Sequence, residues 1–250
     1  MIRAILNGCC GRMGRMIAQI IGGDSGIGIV AGVDAFGEAY DDFPVYRTLE
    51  ECPKADVLID FSTASAVGGL LKYCTENKLP AVVCTTGLSE AQMEALHAAS
   101  EKTAVLKSAN MSLGINLLES IIKEAAPKLA AAGFDIEIVE KHHNQKLDAP
   151  SGTAIALAEA ANEALGGTYE YVYDRSARRE KRPEKEIGIS AVRGGTIVGD
   201  HDVIFAGQDE VITLSHRAYS RAVFAKGAVE AAKFLAGKES GFYTMSDVLG

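Results

Sequence analysis

Short apolar, β-branched runs alternate with longer amphipathic stretches through the N-terminal part of the chain. The runs Ile2–Leu6, Ile27–Val33, Val57–Phe61, Ala81–Thr85 and Ala104–Leu106 predict strands. Between them, Arg12–Ile21, Ala66–Glu76 and Ser89–Ser100 have helical character, and Ser89 with Gln92 forms a capping-box pattern at the start of the third. Strands separated by helices predict a parallel sheet with crossover connections, an α/β domain. A further helix is predicted from about Ser112 to Ala132. Leu113, Leu117, Ile121 and Leu129 recur there at helical steps, and Pro127 is expected to kink or shorten it.

The rhythm then changes. Phe134–Val139, Ile187–Val192, Val203–Phe205 and Val211–His216 read as strands with one clear helix among them, Thr153–Leu165. This α+β pattern predicts a second domain. The charge-rich, proline-containing segment Asp174–Glu186 reads as a solvated loop, with a mobile flap over an active site as the alternative. The alanine-rich helix Arg221–Leu235 is expected to pack back on the first sheet. No repeat or low-complexity tract interrupts the chain.

Composition narrows the function classes. A length of 250 residues suits one large domain or two small ones, and 48% hydrophobic residues with 26 glycines suit a globular enzyme. No apolar run reaches the roughly 18–20 residues of a membrane span. The start Met1–Leu6 leads directly into a strand, so no secretory leader is expected. The five cysteines are odd in number and lack zinc-ligand spacing, which predicts reduced thiols in a cytoplasmic protein and no metal. A net charge of −8 argues against nucleic-acid binding and requires local positive patches for any anionic ligand.

Two segments carry chemistry. Ile2–Leu6 runs into Asn7-Gly8-Cys9-Cys10-Gly11-Arg12-Met13-Gly14-Arg15, a G-x-x-G-x-x-G turn that opens a helix. Glycines there let the backbone approach a pyrophosphate, and the helix start supplies N–H groups and positive potential. Asp34, at the end of the second strand, stands where a carboxylate accepts hydrogen bonds from the adenosine ribose. That predicts NADH as the preferred cofactor, with NADPH usable, because Arg12 and Arg15 lie in the turn. Cys9 and Cys10 read as packing of that turn. Ser62-Thr63 and Thr85-Thr86-Gly87 follow strand ends that border a ligand crevice, or serve as ordinary turn residues.

The second segment is Glu140-Lys141-His142-His143-Asn144-Gln145-Lys146-Leu147-Asp148-Ala149-Pro150-Ser151-Gly152-Thr153. It sets two imidazoles and an ammonium ahead of a helix whose N-cap is predicted to be Ser151. Gly152 and Thr153 then fall at the positive end of that helix, where an anion is stabilised by about 0.3–1 kcal/mol. Imidazoles supply protons near neutrality. Adjacent strand residues point to opposite faces and no third ligand is near, so His142 and His143 are poor metal ligands.

The motif His142–Ala154 resembles the signature of the 4-hydroxy-tetrahydrodipicolinate reductase (dihydrodipicolinate reductase) family. The resemblance extends over nearly the whole chain. It includes Gly8, Gly11, Arg12, Met13 and Gly14, then Asp60-Phe61-Ser62, Thr85-Thr86-Gly87 and Ser108-Ala109-Asn110-Met111-Ser112. Arg193-Gly194-Gly195, Gly199-Asp200-His201 and Tyr243–Leu249 are similar to later motifs of that family. By resemblance, His142 is the proton donor or acceptor and Lys146 the second catalytic residue. His143, Ser151, Gly152 and Thr153 would bind substrate carboxylate. Phe61, Ser62, Cys84, Thr85, Thr86, Ser108, Ala109, Asn110 and Met111 would join the glycine turn and Asp34 in holding the cofactor.

The resemblance implies a Rossmann-like dinucleotide domain, residues 1–111 completed by 219–250. A substrate and oligomerisation domain with a mixed sheet, residues 112–218, would assemble into a homotetramer. The implied reaction is NAD(P)H-dependent reduction of a small dicarboxylate, 4-hydroxy-tetrahydrodipicolinate, to tetrahydrodipicolinate on the route to diaminopimelate and lysine. Three positions depart from the common family pattern: Cys84 replaces glycine, Met111 an aromatic residue and Ala35 an arginine.

Two other readings compete. One is another two-domain dehydrogenase, such as an amino-acid or semialdehyde dehydrogenase; semialdehyde enzymes acting through a thioester need a cysteine in the substrate region, and all five cysteines precede residue 85. A redox-sensing dinucleotide regulator would carry a nucleic-acid-binding segment, and none is evident.

Overall fold

In the computed structural model, which describes residues 1–250, the first apolar run forms β1 (Ile2–Asn7) inside a seven-stranded sheet. Its other strands are β2 (Ile27–Val33), β3 (Val45–Tyr46), β4 (Val57–Asp60), β5 (Ala81–Val83), β6 (Ala104–Leu106) and β12 (Gly241–Tyr243). The order is β12-β6-β5-β4-β1-β2-β3, and every pairing is parallel. A parallel sheet is covered on both faces, which is why these strands read as continuous apolar runs. Ala4, Leu6, Val57 and Ile59 pack with helices α1 (Arg12–Gly22) and α6 (Ala222–Leu235). The intervening residues Ile5, Leu58, Ala81 and Val83 pack with α2 (Val67–Asn77) and α3 (Glu90–Ser100) on the other face. Burying each such Ile, Leu or Val contributes about 1.5–3 kcal/mol. β1 lies between β2 and β4, so the chain order reverses at its carboxyl end, where open α/β sheets bind ligands.

The chain divides into two compact units: Met1–Leu113 with Ala222–Gly250, and Gly114–Arg221. The second unit holds a mixed sheet of order β11-β10-β7-β9-β8. These strands are β7 (Asp135–His142), β8 (Glu170–Val172), β9 (Glu186–Arg193), β10 (Gly199–Ala206) and β11 (Val211–Ala218). β7 pairs parallel to β9 and antiparallel to β10. Helices α4 (Leu113–Ala131) and α5 (Gly152–Ala164) contribute Ile122, Ala126, Leu157 and Ala161 to the core on one face of this sheet, against Ile136, Ile138, Val203 and Phe205.

Several expectations need correction. The helix expected over Ser112–Ala132 is α4, Leu113–Ala131, and Pro127 lies inside it without shortening it. Pro127 costs one backbone bond, and the helix keeps its buried Leu118, Ile122 and Ala126. The segment Asp174–Glu186 is a mostly exposed loop, as expected, but three of its arginines anchor it to the sheet. Arg175 and Arg182 bond Glu137 of β7, Arg178 bonds Glu186, and Arg182 also donates to the Ile136 and Glu186 carbonyls. The short strands β3, β8 and β12 and the last helix α7 (Met245–Leu249) were not predicted. No helix is long and apolar enough to cross a membrane.

Candidate active site

At the carboxyl end of β1 the chain turns through Gly8, whose φ of +76° is a left-handed conformation. A Cβ there would stand 2.5 Å from the Phe61 carbonyl oxygen, so only glycine fits between β1 and the loop after β4. Asp60, fully buried, ties three strand ends together. It accepts hydrogen bonds from Asn7 Nδ2 at 2.8 Å, the Ser62 N–H at 3.2 Å and Thr85 Oγ1 at 2.6 Å. Lys107 Nζ donates to the Thr85 carbonyl at 2.9 Å, and burial lowers the affinity of this amine for its proton.

These contacts shape a cavity of about 380 Å³ in the first unit. Met13, Phe61, Ser62, Cys84, Thr85, Thr86, Ser108, Ala109, Asn110 and Met111 line it, joined by Phe224 from α6. The ten motif residues are therefore brought together. Phe224 was missed because it lies over a hundred positions beyond the motifs that pointed to the site. Ser62 Oγ is buried without a hydrogen-bond partner, a wall that suits a polar ligand group. Ser108 Oγ accepts the Met245 N–H at 2.7 Å, so α7 steadies one side.

Gly8, Gly11, Arg12, Gly14 and Asp34 lie outside this cavity, at the β1–α1 turn and the end of β2. Arg12 is exposed, whereas Arg15 covers the Tyr40 ring and donates to the Cys10 carbonyl. Asp34 accepts the N–H groups of Cys10 at 3.2 Å, Phe36 at 3.1 Å and Gly37 at 2.8 Å. Partial burial raises its pKa, but these N–H donors overcome that and hold the carboxyl below the usual range. Burial pushes the Cys9 thiol up to about 12 and raises the Cys84 thiol too, so with no metal bound both are protonated near neutral pH.

In the second unit, the alternation of β7 does the positioning. Ile136 and Ile138 face the helices, so Glu140 and His142, in the same period-two register, are buried on that face too. β10 does likewise, setting His201 opposite Glu140. Glu140 is wholly buried and accepts four hydrogen bonds. Arg193 Nη1 and Nη2 donate at 2.8 and 2.7 Å, His142 Nδ1 at 2.6 Å, and the Ser151 N–H at 3.0 Å. Burial alone would raise its pKa. The arginine, the imidazole and the amide together lower it, so the group is a carboxylate. An ionised carboxylate only accepts, hence His142 carries its proton on Nδ1 and presents Nε2 as its second functional nitrogen.

Arg193 also donates to the Asp148 carbonyl at 2.7 Å, drawing the 143–150 loop onto the strand end. Within that loop Lys146 Nζ bonds Asp148 Oδ1 at 2.8 Å, and His143 is half-buried. The Ala149–Pro150 bond is cis. Ser151 then caps α5, its Oγ accepting the Ala154 N–H at 3.1 Å, and Gly152 and Thr153 form the first turn. His201 Nε2 lies 3.0 Å from Ser151 Oγ, its Nδ1 has no partner, and burial lowers its pKa to about 4. Sequence reasoning did not single out Glu140, Arg193 or His201 as site residues. The signal for Glu140 was its spacing two residues before His142 on a strand.

Comparison with known proteins completes the description. The family model for the dihydrodipicolinate reductase N-terminus matches residues 2–111, and that for its C-terminus matches residues 114–249. A 4-hydroxy-tetrahydrodipicolinate reductase of Caldanaerobacter subterraneus subsp. tengcongensis is 54% identical over 100% of this chain and 98% of its own length. One from Clostridium tetani is 48% identical over 100% of this chain and 97% of its own. The solved dipicolinate-bound dihydrodipicolinate reductase from Paenisporosarcina sp. TG-14 superposes with a TM-score of 0.79 at 27% identity, covering 98% of this chain and 97% of that one. Similarity of this degree over both halves leaves one assignment: the chain belongs to the dihydrodipicolinate reductase family.

Proposed function

We propose that this chain catalyses the NAD(P)H-dependent reduction of 4-hydroxy-tetrahydrodipicolinate to tetrahydrodipicolinate, in the diaminopimelate route to lysine. The observation that carries the reading is one carboxylate serving two features of the site. Glu140 holds the Nδ1–H of His142 with one oxygen and the N–H of Ser151, cap of α5, with the other.

The fit of a dinucleotide to the first unit is supported by the unpaired Ser62 hydroxyl in the cavity wall and by the glycine turn beside it. Gly8, Gly11, Arg12, Met13 and Gly14 would hold the pyrophosphate side, and Asp34 the adenosine ribose. When bound, the cofactor would supply a hydride to the ring carbon that carried the 4-hydroxyl group, which departs as water and leaves that carbon conjugated with the ring imine. A carboxylate at position 34 with alanine after it favours NADH, leaving NADPH as a usable second. A strong kinetic preference for NADPH would contradict this charge argument.

The residues of the second unit bind and protonate. Gly152 and Thr153, with His143 and Lys146, suit the two carboxylates of the substrate, and the Ser151 cap keeps the helix start in place. After hydride addition, electron density moves to the ring nitrogen and must be met by a proton. Lys146 Nζ or His142 Nε2 supplies it, and Glu140 stabilises the imidazolium form of His142. The exposed apolar side chains Val192, Val211 and Ile212 on strands of the second sheet support assembly through that unit, with a homotetramer as the expected state in the cytoplasm.

The test is NADH oxidation with and without freshly made 4-hydroxy-tetrahydrodipicolinate. Turnover that depends on that compound supports the proposal. NADH binding without turnover would favour a dinucleotide-sensing protein instead.

A further inference from the structure

The β1–α1 turn carries two adjacent thiols that the proposed reaction does not use. Cys9 Sγ and Cys10 Sγ stand 3.7 Å apart. Both sulfurs and a carboxylate oxygen of Asp34 lie within 4.8 Å of one another. Zinc–sulfur bonds of about 2.3 Å place two ligands of a tetrahedral site about 3.8 Å apart. The sulfurs already have that spacing.

The surroundings preserve it. A Cβ on Gly32 would come 2.6 Å from Cys9 Sγ, and one on Gly37 would overlap Cys10 Sγ, so each sulfur is seated against a glycine. Three backbone N–H groups fix the orientation of the Asp34 carboxylate. The nearby Arg47 donates to the carbonyls of Asp34 and Gly37 at 3.2 and 2.6 Å, and makes no hydrogen bond to the carboxylate. Cys9 is fully buried, while Cys10 and Asp34 are half-buried, leaving a solvent side from which an ion can enter. Sequence spacing hid this group, because Asp34 lies 24 residues from Cys10 and joins it only through the pairing of β1 with β2.

We propose that Cys9, Cys10 and Asp34 form a binding site for a thiophilic divalent cation of the zinc type. Binding converts two thiols and one divalent cation into two metal–sulfur bonds with release of two protons, and nothing is oxidised or reduced. The soft sulfur pair selects such ions over magnesium or calcium, Asp34 supplies a third ligand, and water completes the shell. Because the proposed function assigns Asp34 to the cofactor ribose, an ion held here excludes the dinucleotide. That consequence rests on the proposed function; the cation site itself does not.

The experiment titrates Cd²⁺ into the full-length, reduced, metal-free protein, following ultraviolet sulfur-to-cadmium charge-transfer absorption and proton release. The expected result is one ion per chain with two protons released. Cys10→Ala and Cys9→Ala each weaken binding roughly tenfold or more, and Asp34→Asn weakens it less. Cys10→Ala changes a half-buried side chain and keeps the fold by circular dichroism, so it decides the matter if Cys9→Ala does not fold. No saturable band in the wild type, or a band unchanged in Cys10→Ala, overturns the proposal. NADH fluorescence titration of the metal-free protein tests the dinucleotide assignment separately. If NADH binds, saturating Cd²⁺ must raise its apparent Kd in the wild type and leave it unchanged in Cys10→Ala.

Discussion

Glu140 accepts the Nδ1–H of His142 at 2.6 Å from a position with no exposed surface. The pair arises from two strand residues on one face, one step beyond Ile136 and Ile138. A buried carboxylate is costly unless its lone pairs are satisfied, and here Arg193, His142 and Ser151 satisfy them.

Replacing Glu140 by Gln should therefore disturb chemistry more than cofactor binding. The amide cannot stabilise an imidazolium, so kcat is expected to fall roughly tenfold or more while KM for NADH stays unchanged. The pH–rate profile should also change shape. Nitrogen-15 NMR of the imidazole, together with that profile, separates this role from simple loss of fold.

His142→Ala and Lys146→Ala should each lower kcat by roughly tenfold or more, with circular dichroism and thermal unfolding showing a folded protein. Near-normal turnover in both variants would remove the acid–base assignment.

Ser151→Ala removes the α5 cap and the contact with His201. A loss of about 1 kcal/mol in unfolding free energy is expected. The KM for the dicarboxylate should rise with a smaller change in kcat, because the carboxylate grip is similar in ground and transition states.

His201 makes stability depend on pH. Burial holds its folded pKa at about 4, below an unfolded value of roughly 6.5. A depressed pKa contributes stability that is complete above the unfolded value and is lost as pH falls toward the folded one. Between pH 7 and pH 5 the loss from this group is about 2 kcal/mol. Urea unfolding at the two pH values checks it, and His201→Asn should reduce the difference.

Much of this architecture was legible in the sequence. The strands of the first sheet are dominated by buried apolar residues, and they were located within a residue or two because a parallel sheet tolerates little else. Ser89, with Gln92 three residues on, and Ser151, just ahead of its helix, were read as N-caps, and both accept the expected backbone N–H. What escaped depends on partners distant in the chain. β3 and β12 are edge strands of two and three residues whose pairing comes from the sheet. The arginines of the 174–186 segment look solvated until Glu137 and Glu186 are brought beside them. Glu140 was visible as a letter of the motif, but its burial required Arg193, 53 residues away.

The most direct measurement of the central claim follows the hydride itself. Reduction of 4-hydroxy-tetrahydrodipicolinate with NADH deuterated at the transferring position, read by mass spectrometry of the product, should show one deuterium carried into tetrahydrodipicolinate by the wild type. In the His142→Ala, Lys146→Ala double variant the rate at which labelled product forms should fall by more than in either single variant, with each product molecule still carrying the deuterium. Cofactor consumption that leaves the product unlabelled, or labelled product formed by the double variant at the wild-type rate, would contradict the account.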